Sequence, residues 1–395
     1  MKLALVLNGP FIEYGGHYYS QDWPSKVLEM RYLKWFDELV VVSRERKSAD
    51  DPSGKLVQSD SARIEFRCMK EKSRVSRILG RKSESDFFMN AIADCDAVIS
   101  RGWNGAKAAR KQNKKYMMEV VGCVWDAYWN HSLLGKAVAV PNLLVQKKEI
   151  RISPYVLYVS REFLQNRYPT NGISAGISDV ALPEKADVGI LNKRIYRIHE
   201  SNRKWILGTA AAINVAYKGQ RFVVDALSIL KEKGMNNFEY WLAGSGSSEV
   251  IEAYAKEKGV FENIKVIGSV PHDKIFDWYD AVDIYIQPSL QEGLCRSLGE
   301  AMSRGIPCIA TDVGGNPELV DAEYLVSYKD KMNIPNGIVK ALERLVNPEE
   351  YEVVSRSNFK KANENYSKEY LDSRREAFYT AVSYTHLTLP TNSRV

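Results

Sequence analysis

The chain has little of what most specialised classes of protein require. Its 395 residues include five cysteines, an odd number, and no two of Cys68, Cys95, Cys123, Cys295 and Cys308 stand in a C-x-x-C pair. Neither a disulfide framework nor a cysteine-based zinc site is expected; reduced thiols in a cytoplasmic protein are. No apolar run reaches the roughly 18–20 residues that a membrane-spanning helix needs. The apolar start, Leu3–Leu7, is too brief for the core of a signal peptide and reads as a buried first strand. There is no repeat at a period of roughly 20–50 residues and no low-complexity tract. Neither sign of charge dominates: 55 Lys and Arg face 49 Asp and Glu, a net of +6. That is too small by itself to imply nucleic acid. A hydrophobic share of 45% and a charged share of 26% exclude a disordered, collagen-like or coiled-coil chain.

What is present is alternation. In the first half, short β-rich runs at Leu3–Leu7, Leu39–Ser43, Arg63–Cys68, Ala97–Ser100, Tyr116–Val121 and Val156–Ser160 are separated by helical patterns such as Ser25–Phe36 and Gly105–Gln112. Residues 169–193 lose that periodicity and hold Pro169, Gly172, Gly176, Pro183 and Gly189, as a linker does. The pattern then restarts. Strands are expected at Trp205–Thr209, Phe238–Ala243, Ile264–Ile267, Asp283–Gln287 and Ile306–Ala310. Helices are expected at Lys218–Lys233, Ser248–Lys258, Arg296–Arg304 and through Pro348–Thr380. Strand-then-helix alternation predicts parallel sheets covered on both faces. The expected fold class is therefore α/β, with two Rossmann-like αβα domains facing a cleft. The division is an N-terminal domain at 1–170, a linker at 171–193, a C-terminal domain at 194–365 and a final helix at 366–382. Ser383–Val395 departs in character from the helix before it and resembles translated adapter read-through; this tail, 383–395, is read as non-native, and His386 carries no weight.

One segment carries chemistry. Gln287-Pro288-Ser289-Leu290-Gln291-Glu292-Gly293-Leu294-Cys295-Arg296 leaves a strand and opens a helix that contains Glu300. The N–H groups of Gly293, Leu294, Cys295 and Arg296 have no partner inside the helix. With the helix dipole they suit an anion such as a diphosphate. A carboxylate at each end of the element, Glu292 and Glu300, can accept hydrogen bonds from hydroxyl-rich groups. Together these suggest recognition of a sugar–diphosphate–ribose unit.

The run PSLQEG, then EAMSRGIPCIATDVGGNPEL, resembles the signature of the family 4 (group 1) retaining glycosyltransferases, which have the GT-B fold. The E-x7-E spacing, the helix EAM, the strand PCIAT and the loop VGGNPE match in order. The resemblance covers Trp205 to Tyr328 well and the preceding domain more loosely. It implies glycosyl transfer from a nucleotide-diphosphate sugar to an acceptor hydroxyl, with retention, in polysaccharide or glycolipid synthesis. It implies no required cofactor and no metal, because helix dipole and basic groups neutralise the leaving diphosphate. The C-terminal domain would hold the donor, and the last helix would cross back to the first domain. Tyr217-Lys218-Gly219-Gln220 stands where the family has its Lys-Gly motif, so Lys218 would meet the phosphates. The arginine that usually precedes it is absent from Gly208–Ile213; either Lys218 acts alone or another basic residue such as Arg296 substitutes. Glu300 would hold the ribose hydroxyls and Glu292 the donor sugar. Gly244 and Gly246 resemble the family's turn near the donor, and Val270 falls where relatives meet the base.

The first half resembles the family in Tyr14-Gly15-Gly16-His17, where Gly15 and Gly16 would approach the donor and His17 is an acceptor-side candidate. His131, at the end of the aromatic run from Trp125, is where relatives place a histidine near the donor sugar, and it joins Glu292 and Lys218 as a catalytic candidate. Asp126 and Arg101 are further acceptor-side candidates. Asp94-Cys95-Asp96 spells D-x-D but precedes a strand, so its side chains belong at the edge away from the site and it is not read as a metal motif.

Charge is uneven. Residues 1–190 hold 29 basic and 22 acidic residues, a net of +7, leaving −1 for the remainder. Eight basic residues crowd Arg63–Lys82 against Glu65 and Glu71. A saccharide or lipid-linked acceptor and peripheral contact with an anionic membrane are the expected partners of this half. Nucleic acid is not expected, since no nucleic-acid motif accompanies the charge. Two other readings stand beside transfer. One is a nucleotide-sugar 2-epimerase, which would convert donor alone. The other is a non-catalytic nucleotide-sugar-binding subunit, which would bind donor without transfer.

Overall fold

The computed structural model describes residues 1–70, 81–129, 133–180, 182, 188–200, 203–271 and 274–387; the side chains of 81, 82, 133, 134 and 383–387 are not among them. The chain divides into two compact units with interleaved boundaries. The first comprises 1–121, 140–158 and 165–175, and the second 122–139, 159–164 and 176–395.

The first unit is built on β1 (Lys2–Tyr14), β2 (His17–Ser20), β3 (Glu38–Lys47), β4 (Val57–Gln58), β5 (Ile64–Lys70), β6 (Ala97–Ser100), β7 (Lys115–Val120), β8 (Tyr155–Tyr158) and β9 (Ile173–Gly176). Strands β5, β3, β1, β6, β7 and β8 lie parallel in that order. Leu3–Val6 and Leu39–Val42 are buried almost completely, as continuous apolar runs are in a parallel sheet covered on both faces. The first strand exceeds its expected range. A register shift between Val6 and Pro10 turns it, and Ile12–Tyr14 pairs antiparallel with β2. The connection is the two-residue turn Gly15-Gly16, with φ of 62° and 84°, the backbone that joins tightly twisted strands.

The second unit contains β10 (Trp205–Ala210), β11 (Phe238–Ala243), β12 (Ile264–Gly268), β13 (Ile284–Gln287), β14 (Cys308–Thr311) and β15 (Leu325–Val326). Their order is β12-β11-β10-β13-β14-β15, all parallel. Both parallel sheets thus run 3-2-1-4-5-6 in their own sequence order, the doubly wound arrangement. Its order reverses between the first strand and the fourth, and ligands bind outside the carboxyl ends of those two strands. In the second unit these are β10 and β13.

The stretch read as a linker, 171–193, contains β9 and the start of the helix Val188–Arg197. A range ending at 193 cuts across the helical spacing of Leu191, Ile195 and Ile198, all buried. The same helix buries Arg194, which donates Nε to the Arg304 carbonyl at 3.1 Å and Nη2 to the Tyr279 carbonyl at 3.2 Å, and Nη1 to the Val282 carbonyl. These carbonyls end two helices, one of which leads into β13, so one guanidinium closes two helix ends. Arg194→Met is expected to lower the unfolding free energy by about 3 kcal/mol, because it leaves those buried acceptors without donors; a lower urea midpoint reads it. The final helix runs through Lys368–Leu387, past the expected boundary at 383. Of the expected tail, 388–395 lies outside the described residues.

Candidate donor site

Three loops meet at the carboxyl edge of the second unit's sheet. The loop after β10 ends in a 3₁₀ turn, Ala216–Lys218. The loop after β13 runs from Pro288 into the helix Arg296–Ser303. Leu290 N–H donates to the Tyr217 carbonyl at 2.7 Å, which joins these two. The loop after β14 supports the second from behind: Gly315 N–H donates to the Gly293 carbonyl at 2.7 Å. A Cβ on Gly314 would lie 2.2 Å from the Glu292 carbonyl oxygen, and its φ is +61°. Only glycine lets the backbones approach this closely.

This packing places Lys218 against Glu292 across the point where strand order reverses. Lys218 Nζ lies 2.8 Å from Glu292 Oε1, with side chains 22% and 11% exposed. Burial pulls the lysine pKa down, but the neighbouring Glu292 carboxylate outweighs it and the pKa is raised overall, so the ammonium stays charged at neutral pH. Gln287, fully buried at the end of β13, holds the pair. Its Nε2 donates to Glu292 Oε1 at 3.2 Å and to Ser289 Oγ at 2.7 Å, while its Oε1 accepts from Tyr285 OH at 2.8 Å. The helix begins at Cys295, which makes no side-chain cap hydrogen bond. Its first N–H groups and dipole therefore suit an anion beside Lys218. Glu300, about one and a half turns on, accepts from Tyr279 OH at 2.9 Å. Burial raises the Cys295 thiol to about 12, so it carries no thiolate at neutral pH. Iodoacetamide at pH 8 is expected to leave Cys295 unlabelled in the native protein, as peptide mass analysis would show.

The remaining donor-side positions lie on the same edge. Gly244 and Gly246 follow β11. Gly244 N–H donates to the Gly268 carbonyl at 2.8 Å, and Ile213 N–H to the Ser245 carbonyl at 2.8 Å. Val270 follows β12 and is half-buried; Leu294 and Cys295 are buried and Arg296 is exposed. The second unit thus brings together Lys218, Glu292, Gly293–Arg296, Glu300, Gly244, Gly246 and Val270. His131 lies outside the described residues. Asp126 is half-buried on the helix Val124–Trp129 and groups with the second unit rather than the first.

The first unit's candidates are dispersed. Gly15 and Gly16 make the hairpin turn, and no atom stands within 4 Å of an added Cβ on either. His17 Nδ1 lies 2.8 Å from Asp60 Oδ2. Arg101 leaves β6 beside β1, donates Nε to buried Glu119 at 2.9 Å and stacks over Trp23 at 4.5 Å. Asp94 sits at the amino edge of the sheet, bonded to Lys2 at 2.9 Å and paired with Arg67. Among the described residues, no group of three or more His, Cys, Asp or Glu is placed to hold a metal ion. Much of the basic stretch Arg63–Lys82 lies outside the described residues. Of its described members, Arg63 donates to the Asp37 carbonyl at 3.0 Å and Arg67 pairs with Glu65 and Asp94; both are occupied in holding the fold.

Sequence reasoning gave no role to Gln287, Gly314 or Glu318. Glu318 accepts N–H bonds from Arg161 at 2.6 Å and Phe163 at 2.8 Å. Gly314 and Glu318 lie within the quoted signature, and Gln287 directly precedes it. The partners of Gly314 and Glu318, distant in sequence, were not visible.

The family model described as Glycosyl transferases group 1 matches residues 204–347. Protein CapJ of Staphylococcus aureus is 33% identical over 353 residues, covering 87% of this chain and 86% of that protein. The chain belongs to the group 1 glycosyltransferases. A shorter match, 34% identical over 111 residues, covers 26% of this chain and 27% of the amylovoran biosynthesis glycosyltransferase AmsK of Erwinia amylovora. The Anabaena protein HepE, solved in complex with UDP and glucose, superposes with a TM-score of 0.65 at 16% identity or below, here 15%, covering 98% of this chain and all of that one (100%). The fold is GT-B, with two Rossmann-like domains, and the protein is a glycosyltransferase. The 3-2-1-4-5-6 order of both sheets agrees.

Proposed function

We propose that this glycosyltransferase moves a sugar from a nucleotide-diphosphate donor to an acceptor hydroxyl with retention of anomeric configuration, in polysaccharide or glycolipid synthesis. The Lys218–Glu292 pair at the N-terminus of Arg296–Ser303 carries the reading. It puts a charged ammonium and the N-terminal end of a helix dipole where a diphosphate would gather negative charge on leaving, and a carboxylate beside them where sugar hydroxyls would bind. HepE's complex with UDP and glucose supports the donor class, and AmsK's role in amylovoran biosynthesis supports the setting. Glu300 would take the ribose hydroxyls and His131 would lie near the donor sugar. The first domain would bind the saccharide or lipid-linked acceptor, with peripheral contact to an anionic membrane.

A thermal-shift screen against UDP-, GDP- and ADP-sugars selects the donor, since a specific ligand stabilises the fold by mass action. Proton NMR of the product then reads the anomeric configuration. No stabilisation by any of the three sets would overturn the donor class, and an inverted product would overturn retention.

A further inference from the structure

The helix Leu133–Ile152 leaves an unusual face uncovered. Val140 is 50% and Leu144 61% exposed. At 3.6 residues per turn, Lys136, Lys147, Val140, Arg151 and Leu144 fall within an arc of about 80°, with Lys148 at its margin. All six are exposed. The helix has a single acidic residue, Glu149, on the opposite side, buried and paired with Arg110 at 3.1 Å. The stripe therefore interleaves two apolar side chains, Val140 and Leu144, with four cations. At its start, Lys136 Nζ lies 5.4 Å over the ring of Trp129, whose indole is 40% exposed.

We propose that this stripe is the surface by which the protein lies on an anionic phospholipid bilayer. The composition suits the interface plane of a membrane. Val140 and Leu144 enter the acyl boundary, while the lysine and arginine stems run along them and lift their charges to the headgroups. Charge complementarity decides the occupant. A second copy would set four cations against the same four, whereas anionic headgroups answer each of them. Among the described residues no helix is long and apolar enough to cross a membrane, so the contact is one of a face. This inference rests on the membrane contact proposed above and gives it an address different from Arg63–Lys82.

Co-sedimentation of the full chain with vesicles of phosphatidylglycerol and phosphatidylcholine in equal parts tests it, with pure phosphatidylcholine vesicles as the neutral control. The wild type is expected to sediment with the mixed vesicles only, and less as salt rises. Lys147→Gln with Lys148→Gln should lower the partition about 20-fold. Val140→Ser with Leu144→Ser should lower it comparably, while both variants keep the wild-type thermal-shift response to donor. Failure of the wild type to sediment would overturn the membrane contact and the stripe together. Wild-type sedimentation that neither variant reduces would overturn the stripe alone. A dimer broken by Leu144→Ser, or vesicle binding displaced by an acidic protein seated on the stripe, would overturn the bilayer as its occupant.

Discussion

Lys218→Ala is expected to lower kcat/KM by about 10²–10³-fold, with the loss divided between KM and kcat. The lysine would meet the diphosphate in the ground state, which sets KM, and meet more charge as the bond to the sugar breaks, which sets kcat. Removing one preorganised donor from such a site costs of that order in rate. The family's usual second cation is missing from Gly208–Ile213, so the loss should be at the upper end. Lys218→Arg keeps the charge but not the compact ammonium that fits 2.8 Å from Glu292 Oε1, and should restore activity only in part. The pH dependence has a definite sign. A cation whose pKa is raised in the folded state contributes its full charge through the neutral range. Its contribution is lost only as pH climbs through that raised value, above the usual ~10.4 for lysine. An alkaline limb assigned to Lys218 should therefore lie above about pH 10. Steady-state kinetics with the selected donor would check this, and unchanged kinetics in Lys218→Ala would remove the lysine from the site.

Why that lysine could be named from sequence, while its setting could not, follows from the range of the interactions. Strands such as Phe238–Ala243 and the helix at Arg296 are local patterns, read from an aromatic-rich apolar run and a glycine stop, and the structure places both within a residue of expectation. Glu292 and Lys218 were legible for a different reason, as members of a spaced signature. What that signature omits is the pairing. Lys218 and Glu292 stand 74 residues apart in sequence and meet only because strand order reverses between β10 and β13. Gln287 read as the last strand residue, since a polar side chain at a strand end is ordinary; its burial and its bond to Glu292 appear only in three dimensions. Arg194 was missed because composition outweighed periodicity. Glycine and proline nearby suggested a linker, and a buried arginine has no local mark until its carbonyl partners, contributed by two other helices, are in place. In the first unit, the glycine pair that resembled a donor loop is also what a tight hairpin requires, and local sequence does not separate the two.

Glu292→Gln is expected to separate diphosphate binding from transfer. In the empty site the Glu292 carboxylate holds Lys218 and so competes with an incoming diphosphate for the same ammonium. It also repels the diphosphate's own charge. Glutamine keeps the shape and an acceptor oxygen for Gln287 Nε2 but removes the negative charge. The nucleoside diphosphate without its sugar should therefore bind about tenfold more tightly, a gain of roughly 1.4 kcal/mol, modest beside what two close charges exchange in a partly buried site. Transfer should move the other way. If the carboxylate accepts hydrogen bonds from donor sugar hydroxyls, those bonds weaken with a neutral acceptor. kcat should then fall about 10²-fold, within the range for loss of one placed polar group in an active site. Calorimetric titration with the diphosphate and single-turnover transfer measure the two effects independently. A variant that loses both together would assign Glu292 to the integrity of the loop held by Gly314 and Gly315. A variant with unchanged diphosphate affinity would place the phosphates away from the Lys218–Glu292 pair, and the anion site would then rest on the helix N-terminus and Arg296.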